Sequence, residues 1–262
     1  MYAFEIERPS TIADAAETLK GDDAQALGGG QTLLPTMKQR LAMPETLVSL
    51  SGVSEMIGVA VRGGSLSIGG ATTHAEVAKE AADTYPALAA LAEGIGDPAV
   101  RNRGTIGGSL ANNDPAACYP AGALGSGATI TTNKRDIAAD DYFQGLFETA
   151  LDEGEIITSV SFPIPEKANY QKFDQPASRF ALVGVFVAKT ADGVRVAVTG
   201  ASNEGVYRWT EAETALNGDF SASAIEGMSG DANNMITDLH GTAAYRAHLV
   251  GVLTRRAVAA CG

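Results

Sequence analysis

Residues Arg101–Pro120 read RNRGTIGGSLANNDPAACYP, a stretch with three glycines, three asparagines, no histidine and no lysine. Its one carboxylate, Asp114, is followed by proline. Bare glycines let consecutive N–H groups turn toward one centre, a geometry that cradles phosphate without a cationic side chain. The chain has a second loop of this kind, Gly28-Gly29-Gly30-Gln31-Thr32, which leaves a short strand and enters a helix predicted to open at Pro35. Neither loop matches GxGxxG, and no acidic residue closes a βαβ unit behind either, so a Rossmann dinucleotide site is disfavoured. Taken alone, each loop reads more readily as a tight turn. Two of them, flanked by threonine, serine, asparagine and glutamine, point to a large ligand with a diphosphate and several hydroxyls, met by many neutral donors.

Working outward, the first fifty residues read β, α, β, glycine loop, short helix, β. Thr11 and Asp14 make a capping pair, Ile12, Ala15, Ala16 and Leu19 mark one helical face, and Gly21 stops the run. ETLVSL (45–50) is strand-like. From Gly52 to about Pro165 short strands and small-residue turns dominate. Thr73 and Glu76 form a capping box, PALAALAEGI (86–95) is helical, and ATITT (128–132) and EIITSVSFPIP (155–165) are strands. The last hundred residues look separate. YQKF, FALVGVFVAKT and VRVAVTGAS give three strands, the last two joined by a turn at Asp192-Gly193. Helical stretches follow at TEAETAL, SASAIEGM and TAAYRAHLVGVLTRRAVAA. The fold class is α+β, with a three-strand meander packed on helices at the C-terminal end.

At 262 residues the chain has room for two or three domains, and its 45% apolar content is that of a globular protein. Its 30 glycines exceed the ordinary share of about 7%. A net charge of −12 argues against a nucleic-acid partner. Cys118 and Cys261 form no CxxC pair, and His74, His240 and His248 have no metal-ligand spacing, so surface or capping roles are expected for the histidines. Glu153 and Glu155 are expected to be solvated. No GxSxG elbow or GxxxxGK[ST] loop is present. The N-terminus lacks the pattern of a signal peptide, and no apolar run approaches the ~18 residues of a membrane span. The chain reads as cytoplasmic.

GGGQTLLPTMKQRLAMPETLVSL (28–50) and IGDPAVRNRGTIGGSLANNDPA (95–116) together resemble the FAD-binding medium subunit of molybdenum hydroxylases. That family includes aerobic carbon monoxide dehydrogenase and the flavin portion of xanthine dehydrogenase. The resemblance continues through EIITSVSFPIP, YQKF and SRFALVGVFVAK to DLHGTAAYRAHLVGVLTRRA, in the family's order and over nearly the whole chain. It implies a PCMH-type FAD-binding region at 1–167, in subdomains of about 1–51 and 52–167. A three-stranded antiparallel sheet with C-terminal helices follows at 168–262. Carried over by position, Gly28, Gly29, Gly30, Gln31, Thr32 and Leu33 wrap the FAD diphosphate, as do Thr105, Ile106, Gly107, Gly108 and Ser109. Ile95 corresponds to an apolar position beside the flavin, Ile157 to one near the adenine, and Lys172 to a basic cofactor contact. Phe180 falls where the family places an aromatic against the isoalloxazine, and it reads equally as a strand core residue. Cys118 stands where relatives commonly have an acid that holds a ribityl hydroxyl. A thiol is a poor acceptor, so weaker FAD retention is expected, with Asp114, Asn112 or Asn113 taking part of the role.

The implied function leaves the chemistry to the cofactor. Substrate is oxidised at a molybdopterin cofactor in a large subunit, and electrons pass through two [2Fe–2S] clusters in a small subunit to FAD in this chain. An external acceptor (quinone, NAD or oxygen) then takes them. The implied assembly is a dimer of heterotrimers. Carbon monoxide leads as the complex's substrate, with aldehydes, xanthine and N-heterocycles as alternatives. Two other readings stay open: a non-catalytic assembly module with a decayed flavin site, and a flavin oxidase or reductase of the vanillyl-alcohol-oxidase type.

Overall fold

The computed structural model describes residues 1–261; Gly262, the last residue of the C-terminal region, lies outside the described residues. The chain opens with β1 (Glu5–Glu7), α1 (Ile12–Thr18), β2 (Ala24–Leu27), α2 (Leu33–Lys38) and β3 (Thr46–Ser49), in the expected order. The three strands form a parallel sheet, β1-β3-β2. Thr11 caps α1 through the Asp14 amide. The second helix begins at Leu33, two residues before the proline, because the Gly30 carbonyl already accepts from the Leu34 amide.

The next region contains β4 (Val59–Arg62), β5 (Ser65–Gly69), α3 (His74–Glu80), α4 (Pro86–Glu93), α5 (Pro98–Arg101), α6 (Ile106–Asn112) and α7 (Tyr119–Ser126). It continues through β6 (Thr129–Thr132), β7 (Asp136–Ala138), α8 (Ala139–Tyr142), β8 (Phe143–Gly145), β9 (Glu148–Thr149) and β10 (Ile157–Pro163). An antiparallel sheet, β4-β5-β10-β6-β7, supports the helices. The Thr73–Glu76 capping box forms in full, and α4 starts with Pro86. Tyr85, Leu88, Leu91, Ile106 and Tyr119 pack into one core between helices and sheet.

The last region holds β11 (Lys167–Asp174), β12 (Ala181–Thr190), β13 (Gly193–Ser202), β14 (Gly205–Arg208), α9 (Thr210–Gly218) and α10 (Ala243–Ala260). The antiparallel sheet has four strands, β11-β12-β13-β14, where three were expected. The additional strand is four residues long, too short for alternation to mark it, and it pairs with β13 through Ala197↔Arg208 and Val198↔Tyr207. The β12–β13 turn is centred on Ala191 and Asp192, and Gly193 opens β13 with φ +126°. SASAIEGM contains only a short 3-10 turn, Ala222–Ile225.

Strand β12 is a continuous apolar run because both of its faces are covered. Phe186, Ala188 and Ala197 turn toward α7 and join the core of the preceding region. Val183, Val185, Val187, Val196 and Val198 turn the other way and pack under α9 and α10. The C-terminal sheet is therefore seated on the helices of the preceding region, which brings the turn before β12 to the edge of a shared cavity.

Candidate functional site

That cavity measures about 730 Å³, in the upper part of the range for small-molecule and cofactor sites. Gly28, Gly29, Gly30, Gln31, Thr32 and Leu33 form one wall, and Thr105, Gly107, Gly108 and Ser109 face it. Ile95, Asp114, Cys118, Ile157 and Phe180 complete the enclosure. Ile106 and Lys172 stand behind the wall. Ile106 is fully buried in the core. The Lys172 ammonium donates to the carbonyls of Gly94 and Arg179, both at 2.7 Å, and pairs with Asp174.

The two glycine loops serve different purposes. The amides of Gly29, Gly30, Gln31 and Thr32 donate to no group among the described residues, so four N–H groups are free at one wall. In the second loop the amides of residues 106–109 are all engaged. Ile106 donates to the Thr72 carbonyl, Gly107 to Gly70, Gly108 to the Thr105 hydroxyl and Ser109 to the Thr105 carbonyl. Its glycines are there for close approach: a Cβ on Gly107 would lie 2.6 Å from the Gly70 carbonyl oxygen. What this loop offers the cavity is bare Cα surface and the Ser109 hydroxyl, for which no partner is found among the described residues.

Other groups hold the remaining walls. Arg101 donates to the carbonyls of Ile95 and Gly96, at 3.1 and 3.0 Å, which fixes the turn bearing Ile95. Asp114 spends one carboxylate oxygen on the Ala116 amide. Gln175 organises the turn ahead of β12 by accepting from the Ala177 and Ser178 amides, and Arg179 adopts φ +60° within it. Cys118 is buried, and burial pushes its thiol pKa up against the pull of the Lys172 ammonium. The side chain is therefore a neutral thiol.

Two cavity residues went unseen in the sequence, and two expectations are corrected by them. His74 is 5% exposed, not a surface group. It occupies the first turn of α3 beneath the Gly104 loop, with its amide bonded to the Gly104 carbonyl. Burial first, and then Arg101, lower its pKa to about 4. Glu155 is likewise buried, not solvated. Its carboxylate accepts from Thr132 and from Arg135, and those bonds overcome the desolvation that raises it, leaving its pKa at about 2. Only the capping box hinted at where His74 would lie, and nothing in the sequence paired Glu155 with Arg135.

Both groups make the fold sensitive to acid. The unfolded chain protonates His74 first, so stability is complete above about pH 6.5 and declines as pH falls toward 4, by up to about 3 kcal/mol. The ionised Glu155 stabilises the fold above about pH 4.5, and that contribution is lost as pH falls from there through about 2. Melting temperature is expected to decline steadily from pH 7 to 4 and further below. In Glu155→Gln the part below pH 4.5 should flatten.

A large cavity walled by free amides, hydroxyls and apolar side chains defines a protein that holds an extended anionic cofactor. The residues fit FAD: four unengaged amide donors, the Ser109 hydroxyl and apolar side chains line one cavity. Comparison with known proteins agrees. The FAD binding domain in molybdopterin dehydrogenase matches residues 2–165, and the CO dehydrogenase flavoprotein C-terminal domain matches 168–261. The chain belongs to the family of FAD-binding medium subunits of molybdenum hydroxylases, as the two glycine motifs had implied. It is 34% identical to the carbon monoxide dehydrogenase medium chain of Afipia carboxidovorans, over 98% of this chain and 96% of that one. It is 35% identical to the nicotine 6-hydroxylase medium subunit of Paenarthrobacter nicotinovorans, over 99% and 98%. The structure of reconstituted CO dehydrogenase from Oligotropha carboxidovorans matches with a TM-score of 0.89 at 31% identity, over 100% of this chain and 99% of that one.

Proposed function

We propose that this chain is the FAD-carrying electron-transfer subunit of a molybdenum-dependent dehydrogenase complex, most like aerobic carbon monoxide dehydrogenase. The observation that carries the reading is the cavity with the four free amides of Gly29, Gly30, Gln31 and Thr32. When bound, FAD supplies one- and two-electron exchange between iron–sulfur clusters and an external acceptor. This chain's residues hold and enclose it. The first loop takes the diphosphate, Ser109 and Asp114 offer polar contacts, and Ile95 and Phe180 wall the ring system. Ile157 borders the adenine end.

The partners are a small [2Fe–2S] subunit and a large molybdopterin subunit, in a cytoplasmic dimer of heterotrimers. Exposed apolar side chains support burial against other subunits: Leu239 is 90% exposed, Leu41 75% and Met43 63%. No helix among the described residues is long and apolar enough to cross a membrane. The relatives carry names tied to carbon monoxide and to nicotine, so this architecture serves several substrates, and an aldehyde, xanthine or N-heterocycle dehydrogenase is the alternative setting. Against a decayed flavin site, Cys118 is one small wall residue and leaves the cavity open.

Chain saturated with FAD is expected to show oxidised-flavin absorption at about one FAD per chain. The Cys118 thiol lowers affinity by roughly 1.5–3 kcal/mol relative to a charge-assisted contact, so its Kd should be above the submicromolar range. A colourless protein that stays colourless after incubation with FAD would return the assembly-module reading to first place.

A further inference from the structure

Two side-chain polar atoms beside the cavity are enclosed and have no hydrogen-bond partner, His74 Nδ1 and the Tyr119 hydroxyl. Their rings pack against each other with centroids 5.3 Å apart. An unpaired N–H inside a protein is rarer than an unpaired acceptor, which leaves the enclosed Nδ1 bare and assigns the His74 proton to Nε2. This second nitrogen is not enclosed, and it lies beside Gly104, where a Cβ would come within 2.5 Å of it. His74 itself lines the cavity. Around it Ile95, Gly96, Val100 and Gly104 are apolar or bare, while Arg101 places Nη1 on the Ile95 and Gly96 carbonyls and Nη2 3.5 Å from Glu93.

We propose that His74 is a positioning residue of the flavin site, its Nε2–H donating a hydrogen bond to a polar atom of bound FAD. The inference rests on the flavin reading above. The His74 backbone is held by its amide bond to Gly104 and by the capping box around Thr73, and its ring packs on Tyr119. With its pKa lowered to about 4 it is neutral at pH 7, so it contributes a directional donor without a charge. The Gly104 contact explains why this position of the second motif has no side chain.

The test compares purified wild type with His74→Leu and His74→Gln, measuring FAD Kd, the visible spectrum of bound flavin and the melting temperature of the apo-protein. His74→Leu is expected to raise Kd about tenfold and to shift the flavin absorption band. His74→Gln, which keeps a donor at similar reach, should return Kd to within about threefold of wild type and restore the band. Equal affinity and an unchanged spectrum in His74→Leu would overturn the proposal, as would a His74→Gln that folds but loses as much FAD as the leucine variant. Should His74→Leu fail to fold, His74→Phe takes its place, and the glutamine rescue remains the deciding readout. A wild type that binds no FAD would overturn the flavin reading and this inference with it, an outcome distinct from a flavin-loaded wild type that is indifferent to His74.

Discussion

Gly29→Ala is expected to fold and to elute without flavin, its FAD Kd raised at least a hundredfold. An added methyl at this position would overlap the carbonyl oxygen of Arg103 and crowd the Gly104 Cα. These are backbone atoms and cannot rotate away. One of the two loops must move, and their bonding decides which. The Gly104 amide donates to the Val100 carbonyl at 2.7 Å, and the Gly104 carbonyl accepts from His74 at 2.9 Å. By contrast, the amides of residues 29–32 have no partner among the described residues, and only the carbonyls of Gly30 and Thr32 are tied to the following helix. The first loop therefore gives way, dispersing the four donors that make it an anion cradle. Overpacking of this kind costs about 1–3 kcal/mol, so apo-protein melting should fall by about 2–12 °C while binding collapses. Gly28→Ala is the milder neighbour, because its methyl would meet the rotatable Thr105 hydroxyl at 2.8 Å. Flavin content near one per chain in Gly29→Ala, with Kd unchanged, would remove the first loop from the site.

The sequence made this fold legible where a local signal and a tertiary requirement coincide. The Thr73–Glu76 box, the proline-started α4 and the apolar run of β12 each specify their element within a few residues, and the structure keeps them. Both glycine loops were legible as special backbone for the same reason, and the structure brings both to one cavity. Their division of labour was not, because whether an amide is free depends on a partner far along the chain, as Gly107 depends on Gly70. His74 and Glu155 were misjudged on the same ground. A capping box places a helix start, and it says nothing about what will cover that first turn. The turn at 152–155 looks solvated until Arg135 and Thr132 arrive from 20 or more residues away. Strand β14 fell below the length at which alternation is informative.

Lys172→Met should lower the melting temperature of the apo-protein by roughly 6–12 °C, corresponding to about 3 kcal/mol, and weaken FAD binding about tenfold. The Lys172 side chain is 7% exposed, and all three donors of its ammonium are in use. One goes to the carbonyl of Gly94 at the end of α4, and another to the carbonyl of Arg179 in the turn before β12. Ile95 follows the first of these carbonyls and Phe180 the second, and both line the cavity. Lys172 thus fixes the distance between two walls contributed by different regions of the chain. Methionine preserves the length and the apolar stem, so the loss isolates the ammonium. It leaves two carbonyls without their donor and frees Asp174, which is already half-exposed. The resemblance alone would make Lys172 a direct cofactor contact, whereas the geometry makes it a strut, and the apo-protein separates the two. A strut lowers melting before any FAD is added. A direct contact would leave apo melting unmoved and alter only the affinity, and that result would move Lys172 from behind the wall into the site.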